Sequence, residues 1–150
     1  MSPVLLDSSI YITALRQGER AILSMRRFAS DGPLWLSAVV LEELYAGVST
    51  ADHPYVMRLE HDFERARRVL IPNFNDWIRA GKVLARLAAR YGYEQIGRGR
   101  LTNDALIAMS AARQGITILT INKRDFDRLA EFRAFRCQLA GDLAELGHDR

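Results

Sequence analysis

A single cysteine, Cys137, stands among 150 residues, so no disulfide can form within the chain and a disulfide-stapled architecture is excluded. Histidine is nearly as scarce. His53, His61 and His148 show no HExxH spacing, and with one Cys they cannot assemble a zinc-ligand pattern. Any metal would have to be held by oxygen. Long apolar runs are missing too: none approaches the ~20 residues needed to span a bilayer. The first seven residues also lack the basic start and apolar stretch of a signal peptide. A cytoplasmic chain with no membrane partner is expected. Lysine is almost absent, with Lys82 and Lys123 the only two among 21 basic residues. The net charge is +3 and the pI near 9.3. Arginine makes planar, bidentate phosphate contacts, so this bias suits a nucleic-acid partner, although GC-rich coding would produce it as well.

What is present is an ordinary globular balance, 49% hydrophobic and 26% charged. One domain over residues 1–150, with its core at about 3–137, fits this length. The apolar run from Pro3 to Leu6, ending in Asp7-Ser8-Ser9, reads as a buried strand followed by a helix cap. A helical stretch from about Ser9 to Ser30, interrupted near Gly18, leads through the turn Asp31-Gly32-Pro33 to a second strand, Leu34 to Leu36. Ser37 caps a helix running to Val48. Helices are expected at about Pro54 to Arg68 and Asp76 to Tyr91, with a strand at Val69 to Pro72 between them. The second of these helices is amphipathic, placing Trp77, Ala80, Leu84, Leu87, Ala88 and Tyr91 on a core face. Gly92 to Leu101 reads as a Gly- and Arg-bearing loop. Thr102 or Asn103 then caps a helix from Asp104 to Gln114, ended by Gly115. Ile116 to Thr120 is the clearest strand, Asn122 caps a short helix to about Ala130, and Ala134 to Cys137 is a candidate last strand. Alternating strands and helices predict an α/β sandwich: four to five mainly parallel strands between two helical layers.

Ligands of parallel sheets gather at the C-terminal ends of the strands, where Asp7, Thr120, Asn122 and Asp125 fall. Asp104 opens the helix before the Thr120 strand. Glu43 has Val39, Val40, Ala46 and Gly47 as its helical neighbours, which is not a solvated face; Glu42 is the one expected to reach water. Each residue also has a purely structural reading. Asp7 can be an N-cap, Asp104 a favourable charge at a helix start, and Asp125 the distal acid of a capping box with Asn122. Ser8 and Ser9 can be caps, and Arg98 and Arg100 a solvated loop. Glu43 is hardest to explain this way, because a half-buried Glu needs some partner.

Taken together, four pieces resemble the PIN-domain ribonucleases, and among them the VapC toxins of toxin-antitoxin pairs. They are Val4-Leu5-Leu6-Asp7-Ser8-Ser9, Val40-Leu41-Glu42-Glu43-Leu44-Tyr45-Ala46-Gly47, Asn103-Asp104-Ala105-Leu106-Ile107-Ala108 and Ile118-Leu119-Thr120-Ile121-Asn122-Lys123-Arg124-Asp125-Phe126. The resemblance spans Pro3 to about Cys137. It implies a PIN-like three-layer sandwich and a Mg2+ (or Mn2+) dependent endoribonuclease acting on single-stranded or loop RNA. Asp7, Glu43 and Asp104 would be the metal-site carboxylates. A fourth acid is often present near the last motif; here the first candidate position holds Asn122 and the acid appears at Asp125. Ser9 and Thr120 would be supporting hydroxyls, and Arg98 and Arg100 would contact RNA. A VapB-like antitoxin and a second copy of the chain are the implied partners.

The chemistry suits those residue types. Mg2+ and Mn2+ prefer oxygen ligands, and such an ion acidifies water and offsets charge on a phosphate under in-line attack. Two other readings compete: a PIN-like module that only binds RNA or protein, and a phosphatase with Asp7 as nucleophile. The phosphatase would want a second Asp at the position held by Ser9.

Overall fold

The computed structural model describes residues 3–18, 33–94 and 100–140. Among them five short strands form one sheet: β1 (Val4–Leu6), β2 (Leu34–Ser37), β3 (Val69–Leu70), β4 (Thr117–Thr120) and β5 (Cys137–Leu139). The order is β3-β2-β1-β4-β5, with every neighbouring pair parallel. Leu5 and Leu6 of the central β1 are buried, as a strand covered on both faces requires. From β1 the chain winds outward to β2 and β3, then returns to the other side for β4 and β5. The topological switch point lies between β1 and β4, where Leu6 registers with Leu119, the place at which sheets of this kind gather their ligands.

Among the described residues six α-helices cover the sheet: α1 (Ser8–Gln17), α2 (Ala38–Gly47), α3 (His53–Arg65), α4 (Phe74–Tyr91), α5 (Arg100–Gln114) and α6 (Arg124–Ala130). Their ends follow local chemistry. Ser37 Oγ accepts from the Val39 amide at 3.1 Å and starts α2. Asn73 and Asp76 close a reciprocal capping box at the start of α4. Gly18 ends α1 at φ 72°, a conformation that costs glycine little.

The three-layer α/β architecture agrees with the expectation from the sequence, while several details differ. α5 begins at Arg100, so Asp104 lies in its second turn rather than at its opening. Helix α6 begins at Arg124 after Lys123, without a side-chain cap, so Asn122 caps nothing and Asp125 closes no capping box with it. β5 runs from Cys137 to Leu139, because Phe135 packs edge-on against Phe126, at 6.3 Å between centroids, instead of joining the ladder. Trp77 is 56% exposed, not core. The arc of α4 that meets the body is built on Asp76, Ala80, Val83, Leu84 and Leu87, which leaves Trp77 at its margin. The expected helical residues 19–30 and the turn at 31–32 lie outside the described residues.

Candidate active site

Three elements deliver the acidic side chains. β1 ends at Leu6, and Asp7 follows with its amide donating to the Leu119 carbonyl at 2.8 Å. That bond fixes the Asp7 backbone at the β1/β4 switch point. The residue is only 6% exposed, and its Oδ2 accepts from Ser9 Oγ at 2.9 Å and from Thr120 Oγ1 at 3.0 Å. The two hydroxyls are themselves 3.3 Å apart. Asp7 stands at the N-cap position of α1 in an extended conformation, yet its side chain makes no cap hydrogen bond. A capping role therefore does not account for this carboxylate, which is turned to the hydroxyl pair.

Thr120 is tied down in turn. The Asn122 amide donates to Thr120 Oγ1 at 3.1 Å, so Asn122 enters this network through its backbone while the residue is exposed. Asp125 is half-buried in the first turn of α6, where a carboxylate favourably meets the positive end of the helix.

Asp104 is 7% exposed and five residues into α5, beyond the first turn to which helix-dipole stabilisation is confined. The helix-start explanation of this residue thus lapses. Asp7 and Asp104 both act on one reporter, the half-buried Cys137 at the start of β5. Burial is the main cause of its thiol being pushed up to about 12; Lys123 lowers it, and Asp127, Asp7 and Asp104 raise it. Nothing in the sequence beyond a lone Cys marked that residue as a neighbour of the acids.

Glu43 sits in the second turn of α2, half-buried, with Oε1 withdrawn from solvent, whereas Glu42 is exposed as its helical position suggests. α2 packs against both α1 and α5, the helices that follow Asp7 and carry Asp104. The same helix bears Tyr45, whose hydroxyl donates to Glu60 at 2.6 Å and whose carbonyl lies 3.1 Å from His53 Nε2. Burial and Glu60 together push the Tyr45 hydroxyl up to about 12. This cluster locks α2 to α3 and was not singled out from the sequence.

Among the described residues no three His, Cys, Asp or Glu side chains gather closely enough to enclose a metal ion. Asp7, Glu43 and Asp104 come from three separate elements and do not form a closed cage. Magnesium keeps several of its waters and is commonly bound through one or two carboxylates, a demand that Asp7 and Asp104 suit. All donors here are hard oxygens, the class Mg2+ and Mn2+ prefer. Arg98 and the side chain of Arg100 lie outside the described residues. A cavity of about 380 Å³, lined in part by Ala111, Gly115, Phe135 and Arg136, opens beside the N-terminal ends of β4 and β5, away from the acids.

A family model described as PIN domain matches residues 4–132. Ribonuclease VapC10 of Mycobacterium tuberculosis is 32% identical over 135 residues, which cover 87% of this chain and 90% of that protein. The structure of DNA-bound VapBC from Salmonella typhimurium aligns with a TM-score of 0.62 at 24% identity, over 93% of this chain and 98% of the other. VapBC2 from Rickettsia felis, bound to a fragment of its promoter DNA, gives 0.63 at 21% identity, over 92% and 98%. At those identities the two structures speak for the fold alone.

Proposed function

Because the chain belongs to the PIN domain family, we propose that it is a divalent-metal-dependent endoribonuclease that hydrolyses phosphodiester bonds in single-stranded or loop RNA, and that it serves as the toxin of a toxin-antitoxin pair. The observation that carries this reading is the buried Asp7 carboxylate at the β1/β4 switch point, held by Ser9 and Thr120 and serving no helix cap. The named activity of the 32% identical relative, a ribonuclease, points the same way.

In this reading Asp7 and Asp104 hold Mg2+ or Mn2+, and Glu43 approaches from α2. The bound ion supplies a more acidic water and offsets the charge that builds on the phosphate. Ser9 and Thr120 keep the Asp7 carboxylate in one orientation, which sets where a hard cation can sit. Asp125 and Asn122 border the same edge, and Asp125 is the better acid candidate because Asn122 contributes a backbone amide. Arg98 and Arg100 are proposed to contact the RNA backbone, which would add affinity without sequence preference. An anionic edge of this kind also suits inhibition by a basic side chain from a VapB-like antitoxin. A second copy of the chain is the other proposed partner.

The test is cleavage of single-stranded RNA by the purified chain. Cleavage is expected with Mg2+ or Mn2+ and not in excess chelator. Binding of RNA with no cleavage under any metal condition would favour the reading of a non-catalytic binding module. Release of phosphate from small monoesters through a phosphoaspartate at Asp7 would favour the phosphatase.

A further inference from the structure

Helix α6 starts on a residue that cannot cap it. The N-cap is Lys123, at φ −83° and ψ −15°, and its side chain makes no cap hydrogen bond. An N-cap needs an oxygen that accepts from the amides of the first turn, whereas an ammonium group has three donors and no acceptor. A cation there also meets amide dipoles of like sign. Serine, threonine, aspartate or asparagine would serve α6 better, so local stability does not account for this lysine.

Its ion pair does not account for it either. Among the described residues Lys123 Nζ pairs with Asp127 Oδ1 at 3.6 Å, and the two side chains are 38% and 61% exposed. An exposed pair of that length contributes little, and at i, i+4 a base placed before an acid is the weaker order.

What the position does offer is nearness to the acidic edge. Thr120 Oγ1 donates to Asp7 Oδ2 at 3.0 Å and accepts from the Asn122 amide at 3.1 Å, so the backbone at 122 stands two hydrogen bonds from the Asp7 carboxylate. Lys123 follows directly. Its own carbonyl accepts from the Asp127 amide at 2.9 Å, which fixes the backbone on the other side while the ammonium is held loosely. Charge marks the same neighbourhood: Lys123 lowers the Cys137 thiol, and Asp7 and Asp104 raise it, so all three act on one sulfur.

We propose that Lys123 is a catalytic residue whose ammonium binds a non-bridging oxygen of the scissile phosphate. The inference rests on the nuclease reading and adds to it the group that admits the substrate. A phosphodiester approaching Asp7 and Asp104 meets charge of its own sign, and a cation at the rim offsets that repulsion. Lysine acts on phosphate as a compact point charge, on a flexible stem that can leave the exposed Asp127 when the phosphate arrives. As negative charge builds on the phosphoryl oxygens under attack by water, the contact strengthens and lowers the barrier. Lys123 neither gives nor takes a proton in this step.

The experiment has a binding arm and a cleavage arm, for wild type, Lys123→Asn, Lys123→Arg and, as a control, Lys82→Asn on the exposed side of α4. Binding of single-stranded RNA is measured in excess chelator, where no cleavage is expected, over a range of salt. The logarithm of affinity falls against the logarithm of salt with a slope of roughly 0.7 per phosphate contact on single strands. Lys123→Asn should lose about that much slope, and Lys123→Arg and Lys82→Asn should keep it. With Mg2+, kcat/KM of Lys123→Asn should fall at least tenfold, through kcat as well as KM, and Lys123→Arg should restore part of it. Asparagine is a good N-cap, so Lys123→Asn should also melt higher than wild type. Activity lost while stability rises is the mark of a residue kept for substrate.

Wild-type kcat/KM and salt slope in Lys123→Asn would overturn the proposal. A lower melting temperature in Lys123→Asn, with an equal loss of cleavage in Lys123→Arg, would overturn it in favour of a structural role. A wild type that binds RNA with the slope that depends on Lys123, yet cleaves under no metal condition, would support the phosphate contact and overturn the nuclease reading.

Discussion

Thr120 Oγ1 donates to Asp7 Oδ2 at 3.0 Å across 113 positions of sequence, joining the ends of β4 and β1 at the point where the sheet reverses its winding. Ser9 makes the second bond to the same oxygen from two residues away. The pair fixes the carboxylate that the proposed chemistry needs most.

Thr120→Val keeps the shape and removes the hydroxyl. A hydrogen bond to a charged group contributes about 1.5–3 kcal/mol, so unfolding by urea should show a loss of that order. RNA cleavage should fall without vanishing, because Ser9 still holds Asp7. A variant with unchanged stability and rate would show that the bond positions nothing.

The acidic edge should respond to metal. An ion that binds only the folded state stabilises it by mass action, so the melting temperature of wild type should rise with Mg2+ or Mn2+. Asp104→Asn, which removes one buried carboxylate, should melt no lower than wild type without metal and gain much less when metal is added. A metal-independent drop in Asp104→Asn, with no metal response in wild type, would mean that the two carboxylates share no ion.

Asp76 offers a control away from this edge. Its side chain is fully buried, accepts from Arg113 Nε at 2.9 Å and caps α4 through Asn73. Asp76→Ala removes charged hydrogen bonds and half of the capping box, while Arg113 keeps 26% of its side chain in solvent, so the variant should cost about 1.5–3 kcal/mol in urea unfolding. The cleavage rate per folded molecule should remain that of wild type.

The sequence carried part of this arrangement and hid the rest. Asn73 and Asp76 stand three residues apart, a spacing readable as a capping box, but the partner Arg113 lies 37 residues on and no local pattern announces it. Asp7, with Ser9 beside it, was visible as the end of a buried strand, and Thr120 as the end of another; their hydrogen bond depends on the strand order. The start of α5 was misplaced because Thr102 and Asn103 look like caps, while Arg100 and Leu101 already belong to the helix. The size and spacing of Trp77 point to the core, and only the packed body shows which arc of α4 is covered.

Stability should fall in alkali. The Cys137 thiol is raised from 9.0 to about 12 in the folded chain, so its contribution is complete below about pH 9 and is lost progressively as the pH climbs toward 12, where the unfolded thiol ionises first. Tyr45 and the buried Tyr11, both raised from 10.0, add to the loss at higher pH. Urea unfolding at pH 8 and pH 10 should show the decline, and Cys137→Ala should make it shallower. The thiol should also alkylate slowly at pH 8 in the native state, because its thiolate is scarce. An equally steep decline in Cys137→Ala, or fast native alkylation, would contradict the shift.

The account rests on Asp7, Glu43 and Asp104 acting together on RNA. Single-stranded RNA cleavage should therefore be measured with Mg2+ for wild type, Asp7→Asn, Glu43→Gln and Asp104→Asn, each shown to be folded by its melting curve. Each substitution is expected to lower the rate by roughly a hundredfold or more, about 2.7 kcal/mol of barrier, and wild type in excess chelator should be as inactive. Cleavage at the wild-type rate in any of the three variants, or in the chelated protein, would contradict it.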